Sequence, residues 1–125
     1  MIVLDSGALV ALERSDRTMW TRLKAAGTGE VPVLVPQAAL AQAWRGGPRQ
    51  ARLALALRST EPASFDEVAR RAGELCGQAG TEDVVDASVA LVAARPGATH
   101  VYTSDPEDIR HLLATLHIKR QVIRC

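Results

Sequence analysis

The segment Ile2–Leu12 reads IVLDSGALVAL and joins two hydrophobic patterns of different period. Its first three residues form a short apolar run typical of a buried strand, whereas the apolar residues from Ala8 to Leu12 recur at helical spacing. Asp5 stands at the junction, where an aspartate can end the strand and begin the helix. A strand followed directly by a helix is the repeating unit of α/β proteins.

The same alternation continues along the chain. We predict strands over Ile2–Leu4, Val31–Val35, Thr99–Thr103 and Gln121–Ile123, and further helices over Arg17–Ala26, Pro36–Trp44, Arg49–Leu57, Phe65–Ala79, Val84–Ala94 and Pro106–Leu116. Strands separated by helices favour a mostly parallel sheet with helices on both faces, so the predicted class is α/β. Residues 1–125 have the usual length of a single domain.

Composition excludes several classes of protein. The aromatic share of 3% is too small for an RNA-binding sheet that stacks bases on aromatic rings. The formal net charge of +1 cannot hold a polyanion by itself, so any contact with nucleic acid needs a local patch. Two cysteines, Cys76 and Cys125, are too few for the disulfide framework of a small secreted domain. We expect a cytoplasmic protein without a membrane span or a leader peptide.

Charge is unevenly distributed between two segments of the chain. Residues 31–60 contain no acid but four arginines, whereas residues 81–108 contain six acids against Arg95 alone. Arg45, Arg49 and Arg52 are therefore our candidates for contacts with a phosphate backbone. A solvated helix surface is the alternative interpretation of these arginines.

Three aspartates follow strands or begin helices at positions where they can converge. Asp5 and Asp105 each follow a predicted strand, and Asp86 lies in the first turn of its helix, with Asp83 three residues earlier. Two carboxylates about 4 Å apart repel by roughly 4 kcal/mol at an effective dielectric near 20, and a divalent cation removes that repulsion. Oxygen ligands without cysteine or clustered histidine suit Mg²⁺ or Mn²⁺, which indicates phosphodiester hydrolysis. Helix capping is the alternative for Asp5, Asp83 and Asp105.

At these residues the sequence resembles the PIN-domain ribonucleases, and among them the VapC-type toxins of bacterial toxin–antitoxin pairs. The resemblance spans nearly the whole chain and rests on three motifs: Ile2–Ser6 (IVLDS), Asp86–Ala90 (DASVA) and Val101–Asp108 (VYTSDPED).

The resemblance implies a three-layer α/β/α fold and a Mg²⁺- or Mn²⁺-dependent endoribonuclease. It also implies a toxin that often forms a homodimer and is blocked by a small antitoxin protein. By position, Asp5, Asp86 and Asp105 match the family's metal-site acids, and Asp108 matches a more peripheral catalytic acid. Thr103 matches a hydroxyl residue beside the last acid, and Ser6 is expected to support the first.

One position departs from the family pattern. The family has a glutamate late in the helix before an Arg-Gly turn, and this chain has Gln42 there. An amide oxygen can accept hydrogen bonds or touch a cation, but it carries no charge, so metal binding should be weaker. Asp83 or Asp108 is a candidate to supply the missing charge. A PIN-like module that binds an antitoxin or RNA without cleaving it is therefore an alternative function.

A phosphatase of the haloacid-dehalogenase class is a second alternative, because that class also has an acid after an N-terminal strand. It expects a second aspartate two residues after the first, where this chain has Gly7.

Overall fold

The computed structural model describes residues Met1–Cys125 and contains five strands, seven α-helices and one short 3-10 helix. In chain order these elements are β1 (Ile2–Leu4), α1 (Ser6–Glu13), α2 (Arg17–Thr28), β2 (Val33–Pro36), α3 (Gln37–Ala43), the 3-10 helix (Pro48–Gln50), α4 (Ala51–Leu57), β3 (Glu61–Ala63), α5 (Ala69–Ala79), α6 (Val84–Ala93), β4 (His100–Thr103), α7 (Pro106–Thr115) and β5 (Gln121–Arg124). None of the helices combines the length and the apolar composition needed to cross a bilayer.

The strands form one sheet in the order β3-β2-β1-β4-β5, and every neighbouring pair is parallel. Val3 of the central strand lies opposite Leu34 of β2 and Val101 of β4. The predicted α/β class with a parallel sheet is therefore confirmed. Strands buried on both faces need apolar residues at every position, which explains the continuous run Ile2–Leu4.

Helices cover both faces of the sheet, which gives three layers. Successive strand residues point to opposite faces, so Val3 packs in one core while Ile2 and Leu4 pack in the other. Residues of α5, α6 and α7 fill the first core, and residues of α1, α2 and α4 fill the second. Cys76 is buried in the first core, as predicted from its place on the apolar stripe of α5.

Several predicted element boundaries were wrong, and one strand was missed. The helix predicted from Phe65 begins at Ala69, and Pro36 ends β2 rather than beginning α3. The helix predicted over Arg49–Leu57 starts as a 3-10 turn before α4. The edge strand Glu61–Ala63 was missed, because two of its three residues are exposed and one is a proline, a combination tolerated only at a sheet edge.

Candidate metal centre

The centre lies where the central strand β1 and its neighbour β4 end. β1 and β4 are parallel neighbours with Leu4 opposite Tyr102, so the residues that follow them leave the same edge of the sheet. The Asp5 amide donates to the Tyr102 carbonyl at 3.0 Å, which extends the pairing by one residue. Asp5 then begins α1, and Asp105 immediately precedes α7.

Asp86 reaches the same place from α6, which packs against β1. The Asp83 carboxylate accepts a hydrogen bond from the Asp86 amide at 2.9 Å and so caps α6. Capping by Asp83 leaves the Asp86 carboxylate free to point at the end of the sheet. One carboxylate oxygen from each of Asp5, Asp86 and Asp105 lies within 4.8 Å of the other two.

Thr103 connects two of these three acids. Its hydroxyl donates to Asp5 Oδ2 at 2.7 Å and accepts the Asp105 amide at 3.0 Å. The other Asp5 oxygen accepts the Ser6 amide at 2.6 Å. Ser6 therefore supports Asp5 through its backbone, since its hydroxyl makes no hydrogen bond. These contacts fix Asp5, which is 1% exposed, in one orientation.

The other two carboxylates are free of such contacts. The Asp105 side chain makes no capping hydrogen bond, and no donor in the protein contacts the Asp86 carboxylate. Every fully buried side-chain oxygen or nitrogen has a partner, so these unpaired oxygens are open to solvent and to a ligand. The Asp83 side chain caps α6, and an Asp5 oxygen accepts the first amide of α1. The Asp105 side chain caps no helix, so capping does not explain its position.

Burial and mutual repulsion raise the pKa of two of the acids. Loss of hydration raises the pKa of Asp5, opposed by the hydrogen bonds from Thr103 and Ser6. Loss of hydration, then the charges of Asp83 and Asp5, raises the pKa of Asp86 to about 7. At 4.8 Å and an effective dielectric near 20, two carboxylates repel by about 3 kcal/mol. A cation bound between them would relieve that repulsion.

The ligand atoms indicate which cation suits the centre. All three donors are carboxylate oxygens, with no histidine or cysteine among them. Such hard ligands, in a number that leaves room for water, fit Mg²⁺ or Mn²⁺ better than Zn²⁺ or Cu²⁺.

Two other predicted acids, Asp83 and Asp108, lie outside this group of three, and Gln42 lies on α3. Asp83 and Asp108 are exposed and do not belong to the group, although both of their charges contribute to the raised pKa of Asp86. Gln42 is exposed near the end of α3 and makes no hydrogen bond. The helix α3 packs against α1 and α6, whose first residues border the centre.

The three arginines predicted to bind RNA are exposed in the segment that follows β2, but they differ in availability. Arg45 donates to the carbonyls of Ala41 and Trp44, and the Arg52 guanidinium lies 4.4 Å from the centre of the Trp20 ring. Arg49 has no partner in the protein, so it is the arginine most available to a phosphate.

Sequence patterns gave no indication of the residue that holds this arginine segment. Gln50 is buried, and its side-chain oxygen accepts the amides of Arg45 and Gly46 at 2.7 and 2.8 Å. Its amide nitrogen donates to Ala43 and to the Glu13 carboxylate of α1. These hydrogen bonds of Gln50 connect the turn after α3 to the end of α1. A single glutamine at the start of a helix carries no sequence signal for such a role.

Gly7 lets the loop before Asp105 approach α1 closely. A Cβ atom at this position would lie 2.7 Å from Ser104 Cβ and 2.8 Å from the Ser104 backbone nitrogen. We expect Gly7→Ala to displace Ser104 and Asp105, and so to weaken Mn²⁺ binding about tenfold or more and destabilise the fold by about 1–3 kcal/mol. Titration calorimetry and thermal unfolding measure the two effects.

Gly73 provides the matched control, because a Cβ atom there would meet nothing within 4 Å on the exposed side of α5. Gly73→Ala should leave Mn²⁺ binding unchanged and stabilise the protein slightly, by up to about 1 kcal/mol. Equal Mn²⁺ affinity in both variants would refute the positioning role of Gly7.

The crowding at Gly7 also leaves no room for the second aspartate that a haloacid-dehalogenase phosphatase would need at this position.

In comparisons with known proteins, no family model and no curated protein sequence matches this chain. The assignment of the centre therefore rests on its geometry and its chemistry.

Proposed function

We propose that this protein is a Mg²⁺- or Mn²⁺-dependent endoribonuclease that acts as the toxin of a toxin–antitoxin pair. The observation that carries the proposal is the convergence of Asp5, Asp86 and Asp105 within 4.8 Å at the carboxyl end of a parallel sheet. This edge of an open α/β sheet is where ligands of such folds bind.

The three aspartates have different roles in the proposed reaction. A divalent ion at such a centre supplies a water of lowered pKa and stabilises the departing oxygen of a phosphodiester. Asp5, held by Thr103 and Ser6, provides a fixed ligand, and Asp86 and Asp105 provide carboxylates that no protein donor occupies. With its raised pKa of about 7, Asp86 can also hold a proton near neutral pH until a cation replaces it. No nucleophilic side chain is needed.

RNA as the substrate is supported by the exposed arginines of an acid-free segment. Arg49 is exposed and unpaired, and it lies in a segment, residues 31–60, without a single acid. Such a charge attracts a phosphate backbone without selecting its bases. The toxin role, the antitoxin partner and the homodimer are supported by the resemblance of the three sequence motifs to VapC-type toxins.

RNA cleavage with and without Mn²⁺ tests the proposed activity. Wild-type protein should convert single-stranded RNA to fragments in Mn²⁺, and EDTA should stop the reaction. Asp5→Ala should be inactive under both conditions. Cleavage that persists in EDTA, or in Asp5→Ala, would overturn the proposal.

The uncharged Gln42, at the position where the family that this sequence resembles has a glutamate, favours a second candidate function, a PIN-like module that binds an antitoxin or RNA without cleaving it. Restoring the negative charge at this position should distinguish the ribonuclease from the module that does not cleave. We expect Gln42→Glu to tighten Mn²⁺ binding roughly three- to tenfold, because one more carboxylate would face the cation. Calorimetry measures the affinity, and a parallel cleavage assay shows whether activity rises with it.

Gln78→Glu is the control, because Gln78 is exposed on α5 and makes no hydrogen bond. It adds the same charge away from the predicted position and should leave Mn²⁺ affinity unchanged. If Gln42→Glu binds Mn²⁺ no better than Gln78→Glu, Gln42 does not belong to the metal centre.

A further inference from the structure

A second group of cationic side chains lies beside β5, the edge strand next to β4. The segment Ile109–Cys125 contains no aspartate or glutamate, but it carries Arg110, Lys119, Arg120 and Arg124. The predicted RNA contacts, by contrast, come from the segment that follows β2 on the other side of the sheet.

One of these cations has a structural role. The Arg120 guanidinium donates to the carbonyls of Ala93, Ala94 and Arg95, and it is half-buried. It therefore satisfies carbonyls at the end of α6 and just beyond it, as a cation at a helix C-terminus does.

The other three cations are exposed and carry uncompensated charge. Arg110 and Arg124 each donate to one backbone carbonyl, and the Lys119 ammonium makes no hydrogen bond. The only salt bridge in the chain joins Arg95 to Glu67, so none of the three has a carboxylate partner within 4.0 Å. The backbone contacts hold the two guanidinium groups in place without neutralising them, which favours an anionic ligand.

These three cations follow β5 toward the metal centre. Lys119 precedes the strand, and the Arg110 guanidinium contacts the Val122 carbonyl within it at 3.1 Å. Arg124 ends the strand, about 10 Å from its start at a rise of about 3.3 Å per residue. Its guanidinium lies 3.0 Å from the carbonyl of Ser104, the residue before Asp105. Lys119, Arg110 and Arg124 therefore form a row of cations that ends beside the proposed cleavage centre.

The surface beside this row is a groove of about 610 Å³ whose floor is aliphatic. Arg110, His117 and Lys119 line it together with Leu113, Ile118 and Val122. It contains no phenylalanine, tyrosine or tryptophan on which a base could stack. Contacts with nucleic acid along this groove would therefore be made to phosphates rather than to bases.

We propose that Arg110, Lys119 and Arg124 form a phosphate-binding track that holds the RNA strand on the β5 side of the metal centre. Arg49, in the segment that follows β2, is the candidate for a separate contact with the same strand. This inference rests on the proposed ribonuclease function. An acidic peptide would also match the charge and the aliphatic floor, but it would not require the row to end beside Asp105.

The salt dependence of RNA binding tests the track without requiring cleavage. The probe is an oligouridine of about twelve nucleotides, bound to the full chain in EDTA. Arg124→Ala and Arg110→Ala should each weaken binding about two- to fivefold and flatten the logarithmic salt dependence by about 0.7. Combining Arg124→Ala with Arg49→Ala should multiply their separate losses, because the two residues contact different phosphates.

Arg71→Ala, which removes an exposed charge from α5, should change neither the affinity nor the slope. Unchanged slopes in both track variants, in a protein that binds and cleaves RNA, would overturn the track and leave the proposed function standing. Polyglutamate that displaces the RNA as well as unlabelled oligouridine does would also overturn it, in favour of an acidic peptide. A wild-type protein that binds no RNA would overturn both proposals.

Discussion

Asp5→Asn is expected to abolish Mn²⁺-dependent RNA cleavage, with a loss of more than about a hundredfold. Residues that merely support a metal ligand cost ten- to a hundredfold when they are changed, and Asp5 is placed to contact the ion itself. Asparagine keeps the size of the side chain, and the Thr103 hydroxyl can accept a hydrogen bond from the new amide. The loss should therefore come from the missing charge rather than from misfolding.

Thermal unfolding distinguishes these two causes. Wild-type protein should unfold at a higher temperature in Mn²⁺ than in EDTA, because an ion that binds only the folded state stabilises it. Asp5→Asn should unfold cooperatively and show a smaller difference between the two buffers at the same Mn²⁺ concentration. Asp66→Asn, which changes an exposed acid outside the centre, should behave as the wild type does. A Mn²⁺-dependent rise in Asp5→Asn as large as that of the wild type would count against Asp5 as a ligand.

The metal-free protein should become less stable as the pH rises toward neutrality. The pKa of Asp86 is raised from 3.8 to about 7, so the folded state binds this proton more tightly than the unfolded state does. Its stabilising effect is complete below about pH 4 and is lost as the pH rises through about 7. Chemical unfolding in EDTA should show a decrease in the free energy of unfolding of at most about 4 kcal/mol over this interval.

Two comparisons assign this pH dependence to the centre. Asp86→Asn should remove most of it, because the amide does not titrate. Adding Mn²⁺ should raise the stability of the wild type more at pH 7.5 than at pH 5, where the proton competes with the ion. Equal pH dependence in the wild type and Asp86→Asn would contradict the raised pKa of Asp86.

Much of the fold could be predicted from the sequence because its elements are locally encoded. Apolar strands and helices of clear period alternate, and caps such as Asp16 and Asp83 mark where helices begin. The edge strand β3 could not be predicted, since its residues Glu61–Ala63 show neither an apolar run nor an alternation. It becomes a strand only through pairing with β2.

The convergence of acids could also be anticipated, because parallel strands place the residues that follow them at one edge. The hydrogen bonds that orient those acids could not be predicted from the sequence. Thr103 and Asp5 are 98 positions apart, and which oxygen the hydroxyl meets depends on the register of β4 on β1. The close approach of Gly7 to Ser104, and the alignment of Arg110 and Arg124 along β5, likewise exist only in the folded chain.

The central claim is that Asp5, Asp86 and Asp105 hold one divalent cation jointly, and calorimetric titration with Mn²⁺ at pH 7.5 tests it most directly. The wild type should bind one ion per chain at this centre. Each of Asp5→Asn, Asp86→Asn and Asp105→Asn should weaken that binding by about tenfold or more. A wild type that binds no Mn²⁺, or three variants that bind it as tightly as the wild type, would contradict the shared site.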